Sequence, residues 1–138
     1  MTEADAPAVA TLTTQLGYPT DEASARRRIA DVRRHDAGEL LVAVDDADRP
    51  IGWIQVARVH LLAESAVASI DGLVVDETNR STGIGAALVE AAERWARDAG
   101  AEAIVVRSRS TRERAHRFYE RIGYAEVKRS HVFRKPIV

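Results

Sequence analysis

The chain has 138 residues, no cysteine and a formal net charge of −1. Its length suits one domain of roughly 100–200 residues, so we expect a single domain over residues 1–138. With 46% hydrophobic and 30% charged residues, the composition excludes a disordered protein. The missing cysteine excludes disulfides, thiol nucleophiles and thiolate metal sites.

The same data limit the partners and the location. No apolar run approaches the roughly 18 residues that span a bilayer. The balanced charge gives no reason to expect nucleic acid or a membrane surface as a partner. The acidic first residues lack the features of a secretory signal, so we expect a cytoplasmic protein.

The first half of the chain predicts two helices followed by three strands. Asp5 and Pro7 indicate the start of a helix that ends at Gly17, and a second helix is predicted over residues 22–35. Apolar runs predict strands over residues 40–44, 51–59 and 67–75. Residues 45–50 read as the polar turn of a hairpin between the first two.

The second half predicts a helix over residues 83–99, a strand over 103–106 and a helix from the cap Ser110 to Ile122. Two short strands are predicted within residues 124–137, around Lys128. This order predicts an α/β (α+β) fold with a mixed, mostly antiparallel central sheet and helices on both faces. The apolar stripe of the longer helix comprises Ile84, Ala87, Leu88, Ala91, Ala92, Trp95 and Ala96.

The glycine-rich turn after residues 67–75 is the most informative segment. Two glycines, Gly83 and Gly85, open a helix whose first N–H groups lack partners, which is typical of a phosphate or pyrophosphate cradle. A P-loop would need lysine and a hydroxyl where Ala86 and Ala87 stand. A dinucleotide fingerprint would need a third glycine in place of Leu88.

The pattern Arg80-x-x-Gly83-x-Gly85, after a strand that ends in Val74-Val75, resembles the acyl-CoA loop of the GNAT superfamily of N-acetyltransferases. The resemblance implies acetyl-CoA as the co-substrate and a strand end that pairs with its pantetheine arm, here Leu73, Val74 and Val75. It also implies pyrophosphate contacts from the backbone around Arg80, Ser81, Gly83, Ile84, Gly85 and Ala86.

A second motif resembles the same family. Ala115, Phe118 and Tyr119, followed by Gly123 and Tyr124, are similar to its later helix and the strand entry after it. The resemblance implies that Tyr119 is the acid that protonates the departing thiolate. The alternative is a packing aromatic beside Phe118. Many members carry asparagine where this chain has Arg112, which could reach a phosphate or point to solvent.

An ammonium group must lose a proton before it can attack a thioester. Asp71 is the first candidate for the base. Strand alternation places it on the face of Ser69, and these two positions resemble those where some relatives of the family carry proton-handling side chains. Glu64, in the preceding loop, is the second candidate. The alternative is that Asp71 is an ordinary polar strand residue beside a bulge at Gly72. The N–H of Val74 is a candidate oxyanion donor.

The sequence therefore predicts acetyl transfer from acetyl-CoA to a primary amine by direct attack in a ternary complex. The rivals are a non-catalytic acyl-CoA-sensing module of the same fold and an enzyme that binds nucleotide phosphates. The acceptor is a small molecule or a peptide amine. The four histidines lack metal-ligand spacing, so no metal is expected.

Two further expectations follow from the resemblance. Relatives often form dimers through their C-terminal strands, so a homodimer is expected. Family members begin with a strand before the first helix, so either the sheet lacks this first edge strand or the recorded start is late.

Overall fold

The computed structural model describes residues 1–35 and 38–138, which form two compact units, residues 1–107 and 108–138. The domain prediction for residues 1–138 therefore stays a prediction. None of the helices in the described residues combines the length and the hydropathy that a bilayer crossing demands.

In its described residues, the first unit contains three α-helices and four strands, besides two short 3₁₀-helices at Glu3–Asp5 and Glu77–Asn79. The helices are α1 (Ala6–Gln15), α2 (Glu22–His35) and α3 (Ile84–Asp98), and the strands are β1 (Gly38–Val44), β2 (Pro50–Val59), β3 (Val67–Val75) and β4 (Ala103–Val106). Each lies within two residues of its predicted bounds. Asp5 occupies the N-cap position of α1 with Pro7 in the first turn, as predicted.

The four strands form one sheet in the order β1-β2-β3-β4. The first two pairings are antiparallel and the pairing of β3 with β4 is parallel. The predicted mixed, mostly antiparallel sheet is confirmed. Among the described strands β4 lies at the sheet edge, with Ala103 exposed and the other three residues half-buried.

Helices cover both faces of this sheet. Helices α1 and α2 pack on one face, in a buried cluster that includes Leu40, Trp53 and Val74. Alternate residues of β2 point to the other face, where a Cβ atom on Gly52 would lie 3.2 Å from the Leu88 side chain of α3. In the predicted stripe of α3, Ala87 is exposed, and Val89 is buried in addition to Leu88.

A bulge interrupts β3 in the middle of the sheet. Gln55 pairs with Gly72, but the next residue, Val56, pairs with Ile70, so Asp71 is the extra residue. The Trp53 ring occupies the space beside Gly72, where an added Cβ would lie 2.6 Å from ring carbons. The predicted bulge is confirmed, and the ring explains why glycine is needed beside it.

The parallel pairing with β4 stops at this bulge. Strand β4 pairs with Val67, Ala68, Ser69 and Ile70 and goes no further. Within the described part of the chain, no strand pairs with residues 71–75 on the side of β4. The backbone of β3 therefore has an open edge just beyond the bulge.

The second unit contains one helix, α4 (Glu113–Arg121), followed by residues 124–138 without regular structure. The two strands predicted within residues 124–137 are wrong. A strand needs a partner for its backbone, and here the apolar side chains of Val127, Val132 and Phe133 are 84–92% exposed. The predicted cap at Ser110 is also wrong, because Arg112 donates a turn hydrogen bond to the Arg109 carbonyl and the helix begins after it.

We expect Gly72→Ala to lower the free energy of unfolding by about 1–3 kcal/mol, because the new methyl group would overlap the Trp53 ring. Urea unfolding followed by circular dichroism measures this change. The control is the same substitution in a Trp53→Leu background, where the cost should shrink. An equal cost in both backgrounds would show that the ring is not the cause.

Candidate active site

Side-chain hydrogen bonds hold the start of the loop between β3 and α3. The Asp76 carboxylate accepts from the N–H and the hydroxyl of Thr78, at 3.0 and 3.1 Å. The side-chain carbonyl of Gln15, at the end of α1, accepts from the Glu77 N–H at 3.0 Å. Sequence reasoning missed Gln15, and a single glutamine at a helix end gives no signal of this role. These contacts fix the start of the loop against α1.

The loop ends in two residues with left-handed backbone, Ser81 at φ 64° and Gly83 at φ 85°. Gly83 is the N-cap of α3 and makes no side-chain capping bond, while the Thr82 hydroxyl donates back to the Asn79 carbonyl. A Cβ atom on Gly83 would meet nothing within 4 Å. The approach to the helix start is therefore open.

The start of α3 presents backbone donors to this open space. The first intrahelical bond runs from the Ala87 N–H to the Gly83 carbonyl at 3.0 Å. The N–H groups of Ile84, Gly85 and Ala86 precede it and have no helical acceptor. Together with the partial positive charge of the helix end, they fit an anionic group such as a pyrophosphate.

Arg80 connects this loop to the end of β3. Its side chain is exposed, and its Nε donates to the Val75 carbonyl at 3.4 Å. Val74 is buried and Leu73 is half-buried. The backbone of Leu73, Val74 and Val75 thus lies along the open edge of β3, which leads to the loop and the start of α3.

A carboxylate stands where this open edge begins. The Ser69 side chain is 3% exposed, and its hydroxyl donates to Oδ1 of Asp71 at 2.8 Å. The predicted shared face of these two residues is confirmed. Asp71 itself is exposed, so its carboxylate is both oriented and accessible to a solute. Glu64, the second candidate base, lies in the exposed loop after β2.

Tyr119 lies on α4 in the second unit, in a small aromatic cluster. Its ring centroid lies 5.1 Å from that of Phe118 and 5.6 Å from that of Tyr124, both in edge-on geometry. Burial raises the pKa of Tyr119 to about 12, and the positive charge of Arg112 acts in the opposite direction. The hydroxyl therefore keeps its proton at neutral pH.

The structure thus groups the predicted site residues of the first unit along one line. This line runs from Ser69 and Asp71 at the bulge, along the open edge of β3, to the donors at the start of α3. Tyr119 and Arg112 belong to the second unit. Among the described residues, no three histidine, aspartate or glutamate side chains form a group able to hold a metal ion.

The raised pKa of Tyr119 has a consequence at high pH. In the unfolded chain the phenol ionises near pH 10, whereas in the folded protein it ionises near pH 12. The folded state then binds more protons between pH 10 and 12, so its stability falls as the pH rises through that window.

We expect the phenolate absorbance of the wild type, minus that of Tyr119→Phe, to give a titration midpoint near pH 12. The free energy of unfolding of the wild type should fall more steeply between pH 10 and 12 than that of the variant. A difference curve centred near pH 10 would contradict the burial of this hydroxyl.

Comparison with known proteins identifies relatives for nearly the whole chain. The sequence model of the Acetyltransferase (GNAT) family matches residues 7–124. An aminoglycoside N(6′)-acetyltransferase type 1 from Stenotrophomonas maltophilia is 28% identical, with 99% of this chain and 90% of the relative covered. A protein of the same name from Klebsiella aerogenes is 30% identical over 71% of this chain and 66% of the relative.

The fold also has solved counterparts. An aminoglycoside N-acetyltransferase determined in complex with CoA superposes with a TM-score of 0.83 at 18% identity, with 99% of this chain and 97% of the other covered. At this identity the likeness concerns the fold alone. The family match confirms the resemblance drawn from the glycine-rich turn and the later helix.

Proposed function

This chain belongs to the GNAT acetyltransferase family, and we propose that it acetylates a primary amine of a small polycationic acceptor by direct attack on acetyl-CoA. Membership makes it an acetyl-CoA-dependent N-acetyltransferase with acetyl-CoA as co-substrate. The acceptor, the residue roles and the order of steps belong to the proposal. The observation that carries it is the uncapped start of α3 next to the open edge of β3.

The start of α3 binds the pyrophosphate of CoA in this proposal. The N–H groups of Ile84, Gly85 and Ala86 donate to the phosphate oxygens, and Gly83 leaves the approach open because it has no side chain. The backbone around Arg80 and Ser81 completes the contact. Support comes from the left-handed backbone at Ser81 and Gly83, which turns the loop into the helix.

The open edge of β3 binds the pantetheine arm. Its amide groups can pair with the backbone of Leu73, Val74 and Val75 as a further strand would, since residues 71–75 have no described strand on that side. The arm would then direct the thioester toward the bulge. In the same proposal the Val74 N–H polarises the thioester carbonyl.

Asp71 acts as the base. Its carboxylate accepts the proton that the ammonium group of the acceptor must lose before the nitrogen can form a bond to the acetyl carbon. The Ser69 hydroxyl fixes one carboxylate oxygen at 2.8 Å and leaves the other available. The exposure of Asp71 allows the acceptor to reach it.

Tyr119 acts as the acid. As the carbon–sulfur bond breaks, the phenol donates its proton to the sulfur. The nitrogen carries a positive charge once it is bonded to the acetyl carbon, and it loses its surplus proton to solvent as the amide forms. Solvent restores the proton of the phenol and takes up the one held by Asp71. A phenol is a weaker acid than a thiol, and burial widens the difference because it raises the pKa of Tyr119 to about 12. The positive charge of Arg112, which lowers the pKa of Tyr119, favours the transfer.

The acceptor is proposed to be an aminoglycoside or a similar small molecule with several amino groups. Two relatives at 28% and 30% identity carry the name aminoglycoside N(6′)-acetyltransferase. A cationic acceptor also suits the carboxylate of Asp71, which attracts a positive charge before it takes the proton.

Other aspects of the protein stay predictions. The homodimer is one, and the exposed apolar side chains of Val127, Val132 and Phe133 would suit burial against a second copy. The cytoplasmic location is another. The non-catalytic acyl-CoA-sensing module remains the rival, and turnover separates it from the enzyme.

We expect acetyl-CoA to raise the Tm of the wild type and to raise that of Gly83→Ala much less. The matched control is Gly100→Ala, because both glycines have positive φ (85° and 77°) and open space at the Cβ position. Both variants carry the same strain of about 1–2 kcal/mol, but only Gly83 adjoins the donors of α3.

Thermal unfolding with and without the ligand measures the difference. A wild-type Tm that acetyl-CoA leaves unchanged at concentrations far above micromolar would refute the binding site. An equal rise in Tm with acetyl-CoA in both glycine variants would show that the binding site does not adjoin Gly83.

We expect Tyr119→Phe to lower kcat by about 10²–10⁴-fold while the affinity for acetyl-CoA is retained, because the variant loses only the transferable proton. Release of free thiol with an amine acceptor measures the rate. The control is Tyr124→Phe, which removes a hydroxyl from the same aromatic cluster. Unchanged turnover in Tyr119→Phe would remove this residue from the mechanism.

A further inference from the structure

A cavity of about 250 Å³ lies in the first unit beneath the end of α2. It is open to solvent and is bounded by the last turns of α2, the first residue of β1 and the middle of β2. The side chains that matter for its chemistry are Asp31, Val32 and His35 on α2, with Gln55 and Ala57 on β2.

The register of the sheet places the cavity on the same face as the Ser69–Asp71 pair. Ala57 is paired with Ser69, and directly opposed residues of antiparallel strands point to the same face with Cα atoms about 5 Å apart. Gln55 is paired with Gly72, the neighbour of Asp71. The cavity therefore lies one strand away from the carboxylate proposed as the base.

The wall of the cavity combines apolar surface with a few polar groups. Val32 and Ala57 contribute apolar atoms, while Asp31, His35 and Gln55 contribute a carboxylate, an imidazole and an amide. Asp31 is half-buried, and one of its oxygens is held by Arg34 at 3.2 Å. Apolar walls with a few placed polar groups are typical of small-molecule sites.

The charge and the size of the cavity limit its occupant. Through the oxygen that Arg34 does not hold, the Asp31 carboxylate at the wall can accept hydrogen bonds from ammonium and hydroxyl groups. The volume is below the roughly 300–1,000 Å³ of sites that enclose a drug-sized ligand, so it suits one ring of a larger molecule.

We propose that this cavity is an acceptor subsite, which binds a non-reacting hydroxylated amine ring while another ring presents its amine to Asp71. The inference rests on the proposed acetyl transfer and adds the residues that select the acceptor. Asp31 binds an ammonium group of the ring, Gln55 binds a hydroxyl, and Val32 and Ala57 pack against its carbon atoms.

The test uses the full chain and two probes. Kanamycin A is a three-ring aminoglycoside, and 6-amino-6-deoxyglucose carries a similar amine on a single ring. Isothermal titration calorimetry measures the binding of kanamycin A, and thiol release measures the acetylation of both probes. Asp31→Asn removes the charge, and Ala57→Leu fills the cavity.

We expect each variant to weaken kanamycin A binding by about tenfold or more, because an ion-paired hydrogen bond or the room for the ring is lost. The rate with 6-amino-6-deoxyglucose and the affinity for acetyl-CoA should change less than twofold. The matched control is Glu22→Gln, which removes a carboxylate paired with arginine at the other end of α2 and should change nothing.

Unchanged kanamycin A binding in both variants, or no binding to the wild type, would overturn the subsite. If the wild type binds kanamycin A and the variants do not, but no amine is acetylated, the subsite stands and the proposed transfer fails. If 6-amino-6-deoxyglucose is acetylated while kanamycin A does not bind, the transfer stands and the subsite fails.

Discussion

The packing of the Trp53 ring against the backbone of Gly72 is the contact on which the site of the first unit depends. The ring fills the place of a side chain beside the bulge, in the buried cluster that joins β2 to α1 and α2. The bulge sets Asp71 beside Ser69, and pairing with β4 ends at Ile70. Gly72 therefore lies beside both the oriented carboxylate of Asp71 and the start of the open edge of β3.

The two ends of that edge have opposite electrostatic character. At the loop end, backbone N–H groups and the dipole of α3 present partial positive charge to an anion. At the bulge end, and in the cavity beneath α2, carboxylates face solvent. In the proposed reaction this difference separates a phosphate-bearing donor from a cationic acceptor, so each substrate is directed to its own half of the face.

Most elements of the first unit could be predicted from the sequence, because helix caps, apolar periodicity and turn residues mark them locally. The bounds of β3 and β4 agree with prediction. Strand alternation predicted that Ser69 and Asp71 share a face, and a hydrogen bond between their side chains confirms it. The Trp53–Gly72 contact and the cavity beneath α2 were not predictable, since both arise across strands from residues distant in sequence. The prediction of two strands within residues 124–137 was wrong for a related reason. Apolar alternation near Val132 indicates a strand only when a partner strand exists.

The missing cap of α3 links ligand occupancy to the integrity of a helix. Most helices complete their first turn with a serine, threonine, aspartate or asparagine of their own chain, whereas Gly83 contributes no such group. An anion held by the amides of Ile84, Gly85 and Ala86 would complete that turn from outside the polypeptide. The resistance of this segment to hydrogen exchange would then follow the ligand concentration, so the segment would become more rigid as the acyl donor becomes more abundant.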